Sequence, residues 1–260
     1  MTIAEALRAI DAREARVLLS HVSGLPQASL LAHPESDLPE EVAASYRALC
    51  ARRKSGEPIA YIVGSKEFYS LELQVGPAVL IPRPETELLV ELALRHEFEG
   101  AVDLGTGSGA IALALKKNRP AARIVAVDAS ARALETAKRN AAKLGLEVEF
   151  RHGRWFEPLG TQRFDLIVAN PPYVAVGDPH LAGLAFEPQE ALVAGVDGLD
   201  AIREIAAHAC ARLLPGGWLL VEHGRGQEEA VRALLSSGGL EEVATWPDLA
   251  GIGRVSGGKR

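Results

Sequence analysis

Asp103-Leu104-Gly105-Thr106-Gly107-Ser108-Gly109 follows a short apolar strand that begins at Ala101, and a helical stretch from Ala110 to Asn118 starts directly behind it and stops before Pro120. That is a strand, glycine loop, helix unit. Glycines here let the main chain approach a ligand closely and adopt positive φ. The spacing Gly105-x-Gly107-x-Gly109 lacks the G-x-G-x-x-G pattern of a pyrophosphate-binding turn. Working outward, a second strand, Arg123 to Val127, ends in Asp128. A carboxylate there can accept both ribose hydroxyl hydrogens, as the acidic residue after the second strand does in nucleotide-binding folds. The competing reading is that Asp128 merely begins the turn before Ser130, an N-cap for the helix through Leu144. Its register with the glycine loop favours ribose. From residue 100 onward strands near 101, 123, 147, 164 and 218 alternate with helices near 110, 131, 198 and 226, which predicts an α/β fold with a doubly wound, Rossmann-like parallel sheet. Leu240 to Trp246 and Ile252 to Val255 read as a closing pair of strands. Ligands of such sheets sit outside the carboxyl ends of the strands, where the strand order reverses. Gly105, Asp128 and Asn170 all follow strand ends and are expected to meet on that edge.

A second motif, Asn170-Pro171-Pro172-Tyr173, ends the apolar run from Phe164 to Ala169. An amide or exocyclic amine nitrogen is a weak nucleophile, because its lone pair is delocalised, and it needs positioning more than deprotonation. The Asn170 side-chain oxygen and the Pro171 carbonyl can each accept one of its N–H bonds and favour the positive charge it gains in attacking a methyl carbon. Pro172 stiffens the turn, and Tyr173 offers a flat face for a planar group. The plain alternative is a strand-ending turn, since Asn-Pro and Pro-Pro are ordinary loop punctuation. With the glycine loop upstream holding an adenosyl cofactor, the pair of motifs points to methyl transfer onto nitrogen.

Ahead of this region the pattern differs. From Thr2 to Ser55 the apolar spacing is helical: Ile3, Leu7 and Ile10, then Val17, Leu18 and Val22, then Val42, Tyr46, Leu49 and Cys50. Pro26, Pro34 and Pro39 divide it into a small bundle of about four short helices. Ala60 to Val63 and Phe68 to Val75 read as extended segments of a hairpin. The expected organisation is therefore a helical domain over 1–57, a hairpin linker over 58–80 and the sheet domain over 81–260. Pro84 suits the first position of the helix that follows, with Glu85 and Glu87 at its positive end.

The chain has 260 residues, 48% hydrophobic and 24% charged, with a net charge of −6. Such a balance gives a sizeable core and little overall attraction for polyphosphate. No apolar run approaches the roughly 18 residues of a membrane span. The first residues lack a signal pattern, so a cytoplasmic protein is expected. Cys50 and Cys210 stand singly and read as buried free thiols; the histidines are scattered, and no metal is expected. Arg52-Arg53-Lys54 reads as a solvated helix end or a partner contact, and Lys259-Arg260, after two glycines, as a frayed tail. Nothing demands more than a monomer.

Taken together, Gly56-Glu57-Pro58-Ile59-Ala60-Tyr61-Ile62, Lys66-Glu67-Phe68-Tyr69, Ile81-Pro82-Arg83-Pro84-Glu85-Thr86-Glu87, Asp103 to Gly109, Trp155-Phe156, Asn170 to Tyr173, Glu187-Pro188 and Asp197-Gly198-Leu199 resemble the bacterial peptide chain release factor N5-glutamine methyltransferases of the HemK type over nearly the whole length. The proline-arginine-proline segment is the most specific of these. The resemblance implies a helical amino-terminal domain that helps dock a protein substrate, and a catalytic domain that binds S-adenosylmethionine. The acceptor it implies is the glutamine of the Gly-Gly-Gln motif in class 1 release factors. Matched motif by motif, Gly105, Thr106, Gly107, Ser108 and Gly109 would form the cofactor loop, Asp128 would hold the ribose, and Trp155 would lie beside the adenine. Asn170, Pro171, Pro172 and Tyr173 would hold the glutamine amide, with Asn170 also touching the cofactor. Leu80 and Ile81 would line the passage for the glutamine's aliphatic part. Two positions depart from the pattern: Arg154 stands where an acidic residue commonly precedes the tryptophan, and Gly253 where an aspartate usually precedes the arginine. The rival readings are an N6-adenine methyltransferase, which would need to extrude its base and grip a backbone, and a cofactor-binding module without catalysis. The absence of a basic surplus argues against the first, and the intact tetrapeptide against the second.

Overall fold

The structure, a computed structural model, describes residues 1–260, which form two compact units, Met1–Ser65 and Lys66–Arg260. The first is all helical: α1 (Ile3–Ala6), α2 (Ala12–Ser23), α3 (Gln27–Ala32), α4 (Glu40–Lys54) and α5 (Ile59–Val63). Its ends are locally specified. Thr2 and Glu5 make a reciprocal capping box on α1, and Asp11 accepts from the main-chain N–H groups of Arg13 and Glu14 at the start of α2. Leu18, Leu19, Leu30 and Tyr46 are fully buried or nearly so, and the Tyr46 hydroxyl donates to the Ala6 carbonyl at 2.8 Å. Arg53 clasps Glu14 with two bonds of 2.8 Å, and Arg52 Nε reaches Glu57 at 2.8 Å. Two of the three basic residues at that helix end are thus spent on ion pairs within the unit.

One expectation fails here. Ala60–Val63 is the core of a fifth helix, not an extended segment, because Pro58 leads into it and Gly64, at φ 76°, ends it in the left-handed conformation. The hairpin pairs β1 (Ser65–Phe68) with β2 (Leu71–Gln74), so Phe68–Val75 is not one extended leg either: its turn falls at Tyr69 and Ser70, both at positive φ.

The larger unit is the doubly wound sheet. Its elements run α6 (Thr86–Leu94), β3 (Gly100–Leu104), α7 (Ala110–Asn118), β4 (Arg123–Asp128), α8 (Ala131–Leu144), β5 (Glu149–His152), β6 (Phe164–Ala169), α9 (Asp200–Arg212), β7 (Leu213–Glu222), α10 (Glu228–Ser237), β8 (Glu241–Pro247) and β9 (Gly253–Lys259). The strands lie in the order β5-β4-β3-β6-β7-β9-β8, and the first five are parallel. Strand alternation sorts the core into two layers. Ala101, Ile124, Ala126, Leu166 and Val168 face α6, α7 and the end of α8, whereas Val102, Leu104, Val125, Val127 and Ile167 face α9 and α10. Pro84 lies ahead of α6 rather than in it: Thr86 N–H bonds the Arg83 carbonyl and Glu87 N–H the Pro84 carbonyl, a tight turn before the helix.

β9 inserts antiparallel between β7 and β8, so the closing pair of strands is present but longer than the sequence suggested. Lys259 pairs with Trp218, and Arg260 N–H bonds the Gly217 carbonyl, which corrects the expectation of a frayed tail. Gly257 serves close packing, since a Cβ there would lie 2.6 Å from the Leu219 carbonyl oxygen. Cys50 is buried as expected, but Cys210 is only half-buried. No helix is long and apolar enough to cross a membrane.

Candidate active site

Strand order reverses between β3 and β6, and the glycine loop follows the first of these strands while the tetrapeptide follows the second. A crevice at such a point is where this architecture binds ligands. Here it is a cavity of about 430 Å³ whose wall includes Gly105, Thr106, Gly107, Ser108, Asp128, Trp155, Asn170 and Pro172. Leu80 is also in the wall, but Ile81 is not. Gly109, Pro171 and Tyr173 are not part of the wall.

The loop is held from both sides. Gly105 and Thr106 donate to the Val127 carbonyl at 2.8 and 2.9 Å, and the Thr106 hydroxyl donates to Asp103 Oδ2 at 2.6 Å. Asp103 is fully buried and also receives the Ala112 N–H, which ties the loop to the first turn of α7. Burial pushes its pKa up to about 7 against the pull of those two donors. Gly107, at φ 56°, would carry a Cβ into open space, whereas at Gly109, φ 85°, a Cβ would meet Leu113 and Ala137 at 3.1 and 3.2 Å. Gly109 thus serves helix packing, whereas Gly107 is required only for its positive φ.

Asp128 ends β4 with both carboxylate oxygens already anchored: Oδ2 accepts from Gly107 N–H and Oδ1 from Ser130 N–H, each at 2.8 Å. Burial raises its pKa, and those two main-chain donors oppose the shift. Each oxygen retains a further lone pair for a ligand hydroxyl. Ser130 also caps α8 through Ala133, as the turn reading expected, and Asp128 begins that turn.

Trp155 sits at φ 45° beside Gly105, whose Cβ would come within 3.2 Å of the indole. The departure at Arg154 has a physical account. Its guanidinium lies 5.6 Å from the Trp155 ring centroid and pairs with Glu204, Nε to Oε2 at 3.0 Å, so it braces the indole from α9. At the other departure, Gly253 leaves Arg254 without an adjacent acid, and Asp248 supplies the carboxylate instead at 3.0 Å.

In the tetrapeptide, Asn170 Nδ2 donates to Thr86 Oγ1 at 3.1 Å. The amide oxygen is then the end of Asn170 that remains for a ligand. Tyr173 does not present a stacking face to the cavity in this arrangement. Its hydroxyl reaches Glu222 Oε1 at 3.4 Å, and its carbonyl accepts from Gln227 Nε2 at 3.0 Å.

Three residues that sequence reasoning did not assign complete the site. Asn140, fully buried on α8, accepts from Gln74 N–H at 2.6 Å and donates to the carbonyls of Gln74 and Ser108 at 3.0 and 2.9 Å, which ties the hairpin to the glycine loop. Glu187, buried, accepts from Ile81 N–H at 3.0 Å and from the Arg83 guanidinium. Glu222, also buried, lies beside the Tyr173 hydroxyl. None of the three lies in a local pattern; only Glu187, in the quoted Glu187-Pro188 pair, carried any signal.

Known proteins agree with this geometry. The family model described as Methyltransferase small domain matches residues 84–183, the stretch from the approach to α6 through the tetrapeptide, and that described as PrmC N-terminal domain matches residues 2–64. The fold is that of an S-adenosylmethionine-dependent methyltransferase. The chain is 50% identical to the release factor glutamine methyltransferase of Xylella fastidiosa, with 99% of this chain and 96% of that one covered, and 51% identical to that of Bordetella pertussis, with 94% and 93% covered. It belongs to the release factor glutamine methyltransferase family. The fold alone is shared with a 16S rRNA methyltransferase of T. thermophilus solved in complex with AdoMet and guanosine, at 24% identity and a TM-score of 0.55 over 75% of this chain and 49% of that one.

Proposed function

We propose that this chain transfers the methyl group of S-adenosylmethionine to the side-chain amide nitrogen, N5, of the glutamine in the Gly-Gly-Gln motif of class 1 release factors. The observation that carries the reading is the commitment of Asn170 Nδ2 to Thr86, which leaves an acceptor oxygen in the same cavity as the glycine loop. When bound, S-adenosylmethionine would supply an electrophilic methyl carbon and leave as S-adenosylhomocysteine, while the amide nitrogen gives up one N–H proton to water. Gly105 to Gly109 and Asp128 would hold the cofactor's nucleoside and amino-acid parts, and Trp155 would pack beside the adenine. Asn170 Oδ1 and the Pro171 carbonyl accept the two N–H bonds of the glutamine amide and so fix the nitrogen that attacks. Such alignment supplies roughly 7–11 kcal/mol of a displacement barrier. Leu80 in the cavity wall suits the glutamine's methylene groups. The helical unit docks the release factor, and the chain works in the cytoplasm as a monomer on protein rather than nucleic acid.

Methyl-labelled S-adenosylmethionine is incubated with the protein and a release factor, the same factor with its Gly-Gly-Gln glutamine replaced, or DNA and RNA. Label on the intact factor alone is expected. Label on nucleic acid instead moves the acceptor to an adenine amino group.

Asp128→Ala is expected to weaken cofactor binding by roughly 1.5–3 kcal/mol, the worth of hydrogen bonds to a charged group, or about 10- to 150-fold in Kd. Titration calorimetry with S-adenosylmethionine reads this directly, and an unchanged affinity would refute the ribose assignment.

A further inference from the structure

We infer that Glu222 is a positioning residue for methyl transfer, which acts through the Thr86 hydroxyl to fix which end of the Asn170 amide faces the cavity. The inference deepens the proposed reaction and rests on Asn170 as the acceptor of the substrate N–H.

Glu222 ends β7, next to the strand that carries the tetrapeptide, and is 2% exposed. It makes no bond to substrate or cofactor positions, since it is absent from the cavity wall. Instead the Tyr173 hydroxyl lies 3.4 Å from Oε1, Oε2 completes no well-formed hydrogen bond, and Thr86 is the other side-chain hydroxyl that interacts with the carboxylate and lowers its pKa. A buried carboxylate with an unfilled oxygen and hydroxyl groups turned to it is costly as a mere structural feature. Its chemistry explains its place. Thr86 Oγ1 already accepts a proton from Asn170 Nδ2, so its own single proton must point elsewhere, and the carboxylate is the acceptor it faces. An ionised Glu222 can only accept. It therefore commits the Thr86 proton, which commits Thr86 lone pairs to Asn170 Nδ2, which leaves Asn170 Oδ1 for the substrate. A neutral or amide side chain at 222 can donate to Thr86 Oγ1 and release the Thr86 proton toward Asn170, which allows the amide to turn its NH2 group to the cavity. An NH2 group there repels the substrate N–H that it should accept.

Groups facing the carboxylate from each side set its charge. Burial raises its pKa to about 7, the Thr86 and Tyr173 hydroxyls and Arg254 on β9 lower it, and Glu85 beside α6 raises it. The adjacent His223 is turned away, bonded to Ser256 Oγ at 2.9 Å and the Gly224 carbonyl at 3.0 Å, and burial lowers its pKa. The orienting form is the ionised one, so turnover is gained as pH rises through about 7 and lost as it falls.

Glu222→Gln, Thr86→Val and Thr86→Ser are compared with the native chain in single-turnover transfer to a release factor at saturating S-adenosylmethionine, from about pH 6 to pH 9. Misorientation of this kind costs up to ~100-fold in rate. Glu222→Gln and Thr86→Val are expected to fall by that order with cofactor Kd and melting temperature unchanged, Thr86→Ser to recover most of the rate, and Glu222→Gln to lose the acid limb that the native chain shows. Native-like rates in Glu222→Gln and Thr86→Val overturn the inference, as does a Thr86→Ser no better than Thr86→Val. Asn170→Ala separates the two levels: if it is fast, the reading of the reaction fails, whereas a slow Asn170→Ala beside a fast Glu222→Gln removes only the role of Glu222.

Discussion

Asn170→Ala slows methyl transfer by ~10²–10³-fold, the usual consequence of deleting one preorganised polar contact at the reacting centre. Cofactor affinity stays close to native, because the glycine loop and Asp128 are anchored independently of the tetrapeptide by the Val127 carbonyl, Asp103 and Ser130. The substitution leaves the Thr86 hydroxyl without its donor but buries no new charge, so the fold tolerates it. Single-turnover transfer and calorimetry of S-adenosylmethionine binding together test this. A variant that transfers methyl groups at the native rate removes Asn170 from the mechanism; one that loses cofactor affinity in proportion to rate makes it a cofactor ligand instead. Asn170→Asp probes the same site differently: it keeps an acceptor toward the substrate but brings a second carboxylate into the cavity that Asp128 lines, and it lacks the N–H that Thr86 accepts.

What the sequence could disclose was whatever neighbouring residues decide among themselves. Helix Ala110–Asn118 and strand Phe164–Ala169 appear with the expected bounds, and Ser130 caps α8, because apolar periodicity, a capping hydroxyl and a stopping proline act within a few residues. The meeting of Gly105, Asp128 and Asn170 on one edge followed from topology alone, since all three end parallel strands. The failures have equally local causes. Ile59–Val63 is five residues, four of them β-branched or aromatic, too short for a period of 3.6 to be told from one of 2, and only Pro58 and Gly64 mark it as helical. Gly257 and Gly258 suggest slack in a sequence but are tight in the sheet, where Cβ atoms would strike Leu219 and Leu240. The network behind the site was illegible for a different reason. Asn140 reaches main-chain atoms of Gln74 and Ser108, and Glu222 meets Tyr173 and Thr86, across separations that no window spans. Main-chain acceptors in particular leave no residue-type signal at their own positions.

Glu187→Ala is expected to cost about 3 kcal/mol of stability in the sheet unit. Breaking one side of a buried ion pair typically costs ~3–5 kcal/mol, because the other charge is left desolvated and alone. The lower end applies here: Glu187 is 3% exposed, but Arg83 is 33% exposed and can recover water. A second loss comes from Ile81, itself buried, whose N–H has no other acceptor once the carboxylate is gone. The consequence reaches the site because Glu187 joins two parts of the cavity wall, the Val79–Leu80–Pro82 approach on one side and the Pro188–Glu190–Ala191 turn on the other. Loss of the tie should therefore raise the KM for release factor and open both segments to protease, with cofactor affinity less affected. Glu187→Gln separates the contributions, since an amide oxygen can still accept from Ile81 while the charge pairing with Arg83 disappears. Denaturant unfolding and limited proteolysis of the two variants should rank them native, Gln, Ala. An Ala variant within about 1 kcal/mol of native would mean that water replaces the carboxylate without loss, and that the two walls are held by packing alone.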